Sequence, residues 1–289
     1  MIINVYGRPY SVRVLRRAFA PITAPRLVVV AFQPNETAKK ILRLCLDSIR
    51  RFTLEEHELW VVDNASPKKN SQWLENEPDI NVIFNQSKPC PRFNFMRKIV
   101  GLSETPNMGS YANAVALEIA ARIIDADSRL MMTLHMDTMP CSNGWLSYLT
   151  GQLDEQVRCV GVRLDTKRVK AVHVLGMLFD FNLFRSLKLT FAHDMPRHDT
   201  GDGISLALEN AGYRIWACPN SLWEPELPEC LPADSPYRNI MVDRSFDDHG
   251  RVIFLHLGRG ILKSHAGILG EKTTPEQWLC FGREIVLRG

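Results

Sequence analysis

Asp137 follows the apolar run Leu130-Met131-Met132-Thr133-Leu134, a setting in which a carboxylate is costly unless it is paired or bound to a metal. No GxGxxG, GxxxxGK[ST] or GxSxG sequence follows any strand-like run, so a dinucleotide fold, a P-loop and a hydrolase elbow all lack their signatures. A phosphate-bearing ligand then needs another source of positive charge. A divalent cation on a strand-end carboxylate supplies it directly. The same aspartate, in Asp137-Thr138-Met139-Pro140, also suits a plain turn. Far along the chain His256 ends the run VIFLHL and is followed by Gly258-Arg259-Gly260. A guanidinium between two glycines is well placed to reach phosphate oxygens.

Such groups work only if strand ends are brought together, and the pattern of elements predicts that. Arg26 to Phe32 is a β-branched apolar run that reads as a buried strand. Glu36 to Arg51 follows, with Ile41, Leu42, Cys45, Leu46 and Ile49 on one helical stripe. Strands over 57–62 and 80–84 flank a polar helix over 68–76, and an Ala-rich helix over 108–125 precedes the strand 129–136. Alternation of this kind predicts a parallel, doubly wound α/β sheet with ligands at the carboxyl ends of its strands. Asn85 to Asn107, with prolines 89, 91 and 106, interrupts it, and a connection that long is usually functional or mobile. The second half is less regular. Strands over 157–164, 171–177, 213–217 and 251–257 are expected, with helices over 180–186, after Asp202 and over 275–287, and an extended loop over 223–237.

Composition narrows the class. The 289 residues are 45% hydrophobic and 23% charged, which excludes disorder, collagen and coiled coil. Thirty-five basic against thirty-two acidic residues give a net charge of +3, too balanced to suggest a nucleic-acid partner. Seven scattered cysteines form no CxxC pair, so the reading is a reducing, cytoplasmic setting without a zinc cage. No run approaches the roughly 18 apolar residues of a membrane span. The arginines at 8, 13, 16 and 17 leave room for at most a peripheral contact with an anionic inner membrane face, and suit an ordinary solvated face or an edge element better.

Read together, LVVVAFQPNE, ELWVVDNASPKKNSQWL, NMGSYANAVALEIA and LMMTLHMDTMPCSNGWL resemble the nucleotide-binding half of family 2-like glycosyltransferases of the GT-A fold. The resemblance covers the first half of the chain and thins after Gly151. It implies a GT-A-like doubly wound mixed sheet with a nucleotide-binding half and an acceptor-side half. Residues 1–25 would be an N-terminal extension, 26–220 the catalytic domain and 221–289 a segment completing the site. It implies that Asp63 contacts the nucleotide base with Asn64 and Ser66 lining the same pocket, and that Asn107, Gly109 and Asn113 lie near the nucleotide sugar; Asp63 also suits a helix cap. His135-Met136-Asp137 stands where the family has an Asp-x-Asp triplet, so Asp137, with His135 and His256, would hold Mn²⁺ or Mg²⁺, and Arg259 the diphosphate. HDTGDGISLALENAGYRI stands where the family carries its general base, which leaves Asp199 and Asp202 as alternatives to each other and to plain helix caps. Trp145, Trp216 and Trp223 offer sugar-stacking faces, Trp216 also suiting the core.

The implied activity is metal-dependent, inverting sugar transfer from a nucleotide-diphosphate donor to a glycan or lipid-linked acceptor. A binding protein of the same fold and a nucleotidyltransferase are the alternatives. The nucleotidyltransferase would carry a Gly-rich basic loop after the first strand, where this chain has Phe32-Gln33-Pro34-Asn35.

Overall fold

A computed structural model describes residues 1–89, 108–258 and 273–288. Its strands in chain order are β1 (Ile2–Val5), β2 (Arg8–Leu15), β3 (Arg26–Ala31), β4 (Glu58–Asn64), β5 (Asn81–Asn85), β6 (Leu130–His135) and β7 (Thr138–Pro140). They continue as β8 (Val157–Gly161), β9 (Leu164–Asp165), β10 (Ala171–Val172), β11 (Gly176–Asp180), β12 (Arg214–Ala217), β13 (Asp243–Phe246) and β14 (Val252–His256). The main sheet has the order β1-β2-β5-β4-β3-β6-β11-β8-β12. Its centre, β5-β4-β3-β6, is parallel. Antiparallel strands flank that centre, β2 on β5 and β11 on β6. The parallel centre is what the alternating pattern predicts, and the antiparallel flanks make the sheet mixed, as the resemblance implies.

The central strands are apolar on both faces because both faces are covered. In β3, Leu27, Val29 and Ala31 enter the core beneath the Glu36–Phe52 helix, while Val28 enters the core beneath the Met108–Ile123 helix. The first helix starts where the sequence demands. The Asn35 side chain accepts from the backbone N–H of Ala38 at 2.9 Å, a cap that contributes about 1 kcal/mol. The Met108–Ile123 helix buries Ala114, Val115, Leu117 and Ile119 with few large side chains, so it lies close on the sheet.

Several expectations need correction. Residues 1–25 are no appendage to the sheet, since β1 and β2 extend it through β5. The arginines there fit the expected solvated edge in part: Arg13 pairs with Glu75 on the exposed surface, while Arg16 pairs with Asp125 and Arg17 donates to the Glu77 carbonyl at 2.7 Å. The strand expected over 171–177 is broken at His173–Leu175 by a tight turn. There Gly176 N–H donates to the His173 carbonyl at 3.2 Å and Leu175 N–H to the His173 ring at 3.1 Å. The loop over 223–237 contains two short helical turns opened by its own prolines. A helix at Trp145–Gly151 had no expectation behind it. A separate sheet, β13-β14-β7, ties the C-terminal segment to the end of β6. Among the described residues no helix is long and apolar enough to cross a membrane.

Candidate functional site

Strand periodicity aims the first of the three residues expected at a cation. Met132 and Leu134 of β6 face the Glu36–Phe52 helix and Met131 faces the other side, so His135 points toward the Met108–Ile123 helix. There Asn113 faces its Nε2 at 3.1 Å. As oriented, Asn113 leaves its own Oδ1 buried without a partner. With the amide turned about, Oδ1 accepts Nε2–H and leaves Nδ1 as the lone pair. After β6 the chain turns sharply, Thr138 Oγ1 donating to the His135 carbonyl at 2.7 Å. β7 then pairs with β14 so that Thr138 lies opposite His256, and Leu257 N–H donates to the Asp137 carbonyl at 3.0 Å. This register sets His256 Nε2 3.8 Å from Asp137 Oδ2. His135, Asp137 and His256 each offer a ligand atom within 4.8 Å of the others.

The next layer decides what the site can hold. β13 places Asp243 opposite His256, and Nδ1 of the ring lies 2.9 Å from Asp243 Oδ2. Arg163 Nη1 donates to the same oxygen at 2.8 Å. Burial pushes the Asp243 carboxyl up, but His256 and Arg163 outweigh it and hold the group below the usual carboxylate range. An ionised carboxylate only accepts, so His256 Nδ1 carries a proton, and in the neutral ring Nε2 then presents a lone pair to Asp137. Two acceptors face each other at a distance too long for a hydrogen bond, an arrangement that a shared cation satisfies. Burial, the largest influence, pushes the His135 ring down to about 4, so it is neutral and able to ligate. The N, O, N donor set fits Mn²⁺ better than Mg²⁺, which prefers oxygen throughout.

The residues expected at the nucleotide separate. Asp63, 3% exposed, lies on the Glu36–Phe52 face, where Gln33 Nε2 donates to it at 3.2 Å and burial raises its carboxyl. Gln33 N–H donates to Ser66 Oγ at 2.8 Å, so Asp63, Gln33 and Ser66 form one cluster. Asn64 points the other way, its Nδ2 donating to the Ala112 carbonyl at 2.7 Å. Neighbours in a strand face opposite sides, so Asn64 does not share the pocket of Asp63. Asp63 is no helix cap, because the short helix that follows is capped at Pro67. Gly109 is exposed in the first turn of its helix, and a Cβ there would meet nothing within 4 Å. Asn113 packs on His135 as described. Asn107 and Arg259 lie outside the described residues.

Asp199 and Asp202 sit at the start of the Asp202–Asn210 helix, which Thr200 ties to the first turn of the Met108–Ile123 helix by donating to the Ser110 carbonyl at 2.8 Å. Asp202 accepts the Asp199 N–H at 2.7 Å, leaves Oδ1 buried and unpartnered, and is raised by burial. Arg168 donates to Asp199 at 3.0 Å and its Nε lies 3.7 Å from Asp202. The two differ in reach, with side-chain exposures of 21% and 2%. Asp199 also acts electrostatically on His135. Trp145 is a core residue whose Nε1 donates to Thr53 at 3.0 Å, and half-buried Trp216 packs edge-on against Tyr148, so neither serves as a stacking face here. Trp223 is 40% exposed over β9.

Three residues at the site escaped the sequence reading: Asp243, Arg163 and His173, whose ring lies 5.8 Å from that of His135. They stand in no motif. Only the register of β13 on β14, and the His173–Leu175 turn, bring them in.

No family model and no curated protein sequence matches this chain. Solved structures do. Galactosyltransferase LgtC, in complex with donor and acceptor sugar analogs, matches at TM-score 0.50 and 12% identity over 89% of this chain and 95% of that one. The glycosyltransferase GlyE in Streptococcus pneumoniae TIGR4 matches at TM-score 0.49 and 8% identity, over 90% and 60%. Mannosyltransferase PcManGT from Pyrobaculum calidifontis, in complex with GDP-Man and Mn²⁺, matches at TM-score 0.46 and 19% identity over 68% of this chain, which spans 54% of its length. The fold is that of GT-A-type glycosyltransferases.

Proposed function

We propose that this chain is a glycosyltransferase that moves a sugar from a nucleotide-diphosphate donor to an acceptor hydroxyl. The observation that carries this is the His135, Asp137 and His256 cluster at the carboxyl end of the parallel strands, with Asp243 fixing the His256 tautomer. Such a crevice is where open α/β sheets bind ligands. Mn²⁺, or less well Mg²⁺, held by these three residues would neutralise the leaving diphosphate.

The chain's own residues divide the remaining work. Half-buried Ser66 is the part of the Asp63, Gln33 and Ser66 cluster that the base can reach, with Asp63 and Gln33 fixing it from beneath, and Gly109 leaves room for the ligand beside its helix. Asp199, which a substrate can reach, takes the proton from the acceptor hydroxyl. Asp202 holds the Asp199 backbone in place. Displacement with one base inverts the anomeric centre, and product NMR showing retention refutes that step. The acceptor we assign is a glycan or lipid-linked hydroxyl, with Trp223 as its stacking face.

The deciding experiment is a thermal-shift screen of UDP-, GDP-, dTDP- and CMP-sugars, each with Mn²⁺ or EDTA, on wild type and Asp137→Ala. Stabilisation by one nucleotide that needs metal and is lost in Asp137→Ala supports the reading. Unchanged curves at millimolar ligand refute it. One observation favours a binding protein instead, namely that both Asp199 oxygens are engaged, by Thr200 N–H at 2.8 Å and by Arg168. Release of free nucleotide in the presence of acceptor separates the two.

A further inference from the structure

The turn at His173–Leu175 orients an imidazole that nothing above uses. Its Nδ1 accepts the backbone N–H of Leu175 at 3.1 Å, so the proton of the neutral ring must reside on Nε2. That nitrogen has no partner among the described residues, and it is not among their buried, unpartnered atoms. The side chain is half-buried, with burial pushing its pKa well down. The ring stands edge-on to His135 with centroids 5.8 Å apart, and His135 lies 6.2 Å from His256 on the same measure. The backbone holds it as firmly. His173 N–H donates to the Arg163 carbonyl at 3.0 Å, and Gly176 N–H returns to the His173 carbonyl. A fixed N–H donor is thereby placed next to His135, whose ring in turn adjoins that of His256.

We infer that His173 is a substrate contact, its Nε2–H donating to an anionic oxygen of the phosphate group bound at the His135, Asp137 and His256 cluster. This rests on the proposed donor site. It adds to it a neutral donor that recognises the ligand rather than the cation, since an imidazole whose acceptor nitrogen is occupied by Leu175 N–H has no lone pair left to ligate. His173 therefore separates affinity for the diphosphate from affinity for the metal, which the three ligands cannot do.

Two substitutions isolate the role. In His173→Asn the amide oxygen can replace Nδ1 as acceptor for Leu175 N–H, so the turn is kept and the donor lost. In His173→Gln the longer amide returns an N–H near the position of Nε2. Calorimetric titration with Mn²⁺ alone, then with inorganic pyrophosphate, UDP and GDP in saturating Mn²⁺, reads the outcome. The expected result is unchanged Mn²⁺ affinity in His173→Asn, pyrophosphate binding about ten- to a hundredfold weaker, and most of it recovered in His173→Gln. Wild-type pyrophosphate affinity in His173→Asn overturns the inference, and so does an equal loss of Mn²⁺ itself. Nitrogen-15 NMR showing the Nδ1–H tautomer at His173 overturns it as well. Should wild type bind pyrophosphate but neither nucleotide, the nucleotide-donor reading falls, while the two variants still decide the role of His173.

Discussion

Replacing Asp243 by Asn tests the site through a residue that no ligand touches. The carboxylate accepts from His256 Nδ1 at 2.9 Å and from Arg163 Nη1 at 2.8 Å. The amide has the same shape but no charge, and it presents an NH₂ beside its oxygen. If that NH₂ meets Nδ1, the ring adopts the other tautomer and directs Nε2–H at Asp137, removing the lone pair a cation needs. Outer-layer substitutions of this kind cost about 10- to 100-fold in metal affinity, or roughly 1.4–2.7 kcal/mol. Arg163, whose side chain is 8% exposed, loses its counter-charge but keeps an acceptor. The stability cost is then about 1–3 kcal/mol, below the 3–5 kcal/mol, roughly, of a buried pair cut away entirely. Acid adds a second readout. A depressed carboxyl contributes stability that is present above its ordinary pKa, near 3.9, and is lost as pH falls through the folded value. Wild type should therefore lose Tm more steeply than Asp243→Asn below about pH 4. Calorimetric titration of Mn²⁺ into both proteins at pH 7, with near-UV circular dichroism to confirm folding, decides the matter. A folded Asp243→Asn that binds Mn²⁺ with the wild-type Kd refutes the argument that Asp243 sets the ligand.

Three further outcomes are expected. His135, held at about 4 in the fold against about 6.5 unfolded, takes up its proton first in the unfolded chain. Stability should fall by up to about 3 kcal/mol as pH drops from 6.5 toward 4, in the metal-free protein. In His135→Asn that part of the acid limb should vanish, and parallel urea midpoints at pH 4.5 and 7 for the two proteins count against the assignment. Gly201→Ala should destabilise by about 2–4 kcal/mol, because its φ is +81° and a Cβ would lie 2.3 Å from Val174 Cγ1; an unshifted melting curve contradicts this. Asp199→Asn should lower kcat by about 10²- to 10⁴-fold with nucleotide and Mn²⁺ affinities within about twofold of wild type, and undiminished turnover removes Asp199 as the base.

The fold was legible wherever local signals agree. β3 and the Glu36–Phe52 helix are specified by a β-branched run, the Asn35 cap and one apolar stripe, which all point the same way. Asp137 stood out because a charge closing an apolar strand needs a partner. The opposite orientation of Asn64 was legible in principle. With β4 ending at Asn64 rather than at Val62, the period of two already sets Asp63 and Asn64 on opposite faces. Element ends are the weakest part of any reading from sequence, and here two residues of strand decide which pocket an asparagine lines.

Asp243, Arg163 and His173 were illegible for a different reason. Each is an ordinary residue locally, and each acquires its role from pairing between distant segments, Asp243 with His256 across β13 and β14, and Arg163 with His173 across the β9–β10 ribbon. Arg163 takes part in both. Its guanidinium holds the carboxylate that sets the His256 tautomer, while its carbonyl holds the backbone of His173. One buried arginine thus aligns the proposed cation ligand His256 through its side chain and the proposed phosphate contact His173 through its main chain. The two histidines answer to different atoms of that residue, so changing the side chain alone should disturb the cation site and leave the His173 donor where it is. No periodicity or motif encodes that division of labour, since it exists only once the C-terminal strands have closed onto the end of β6.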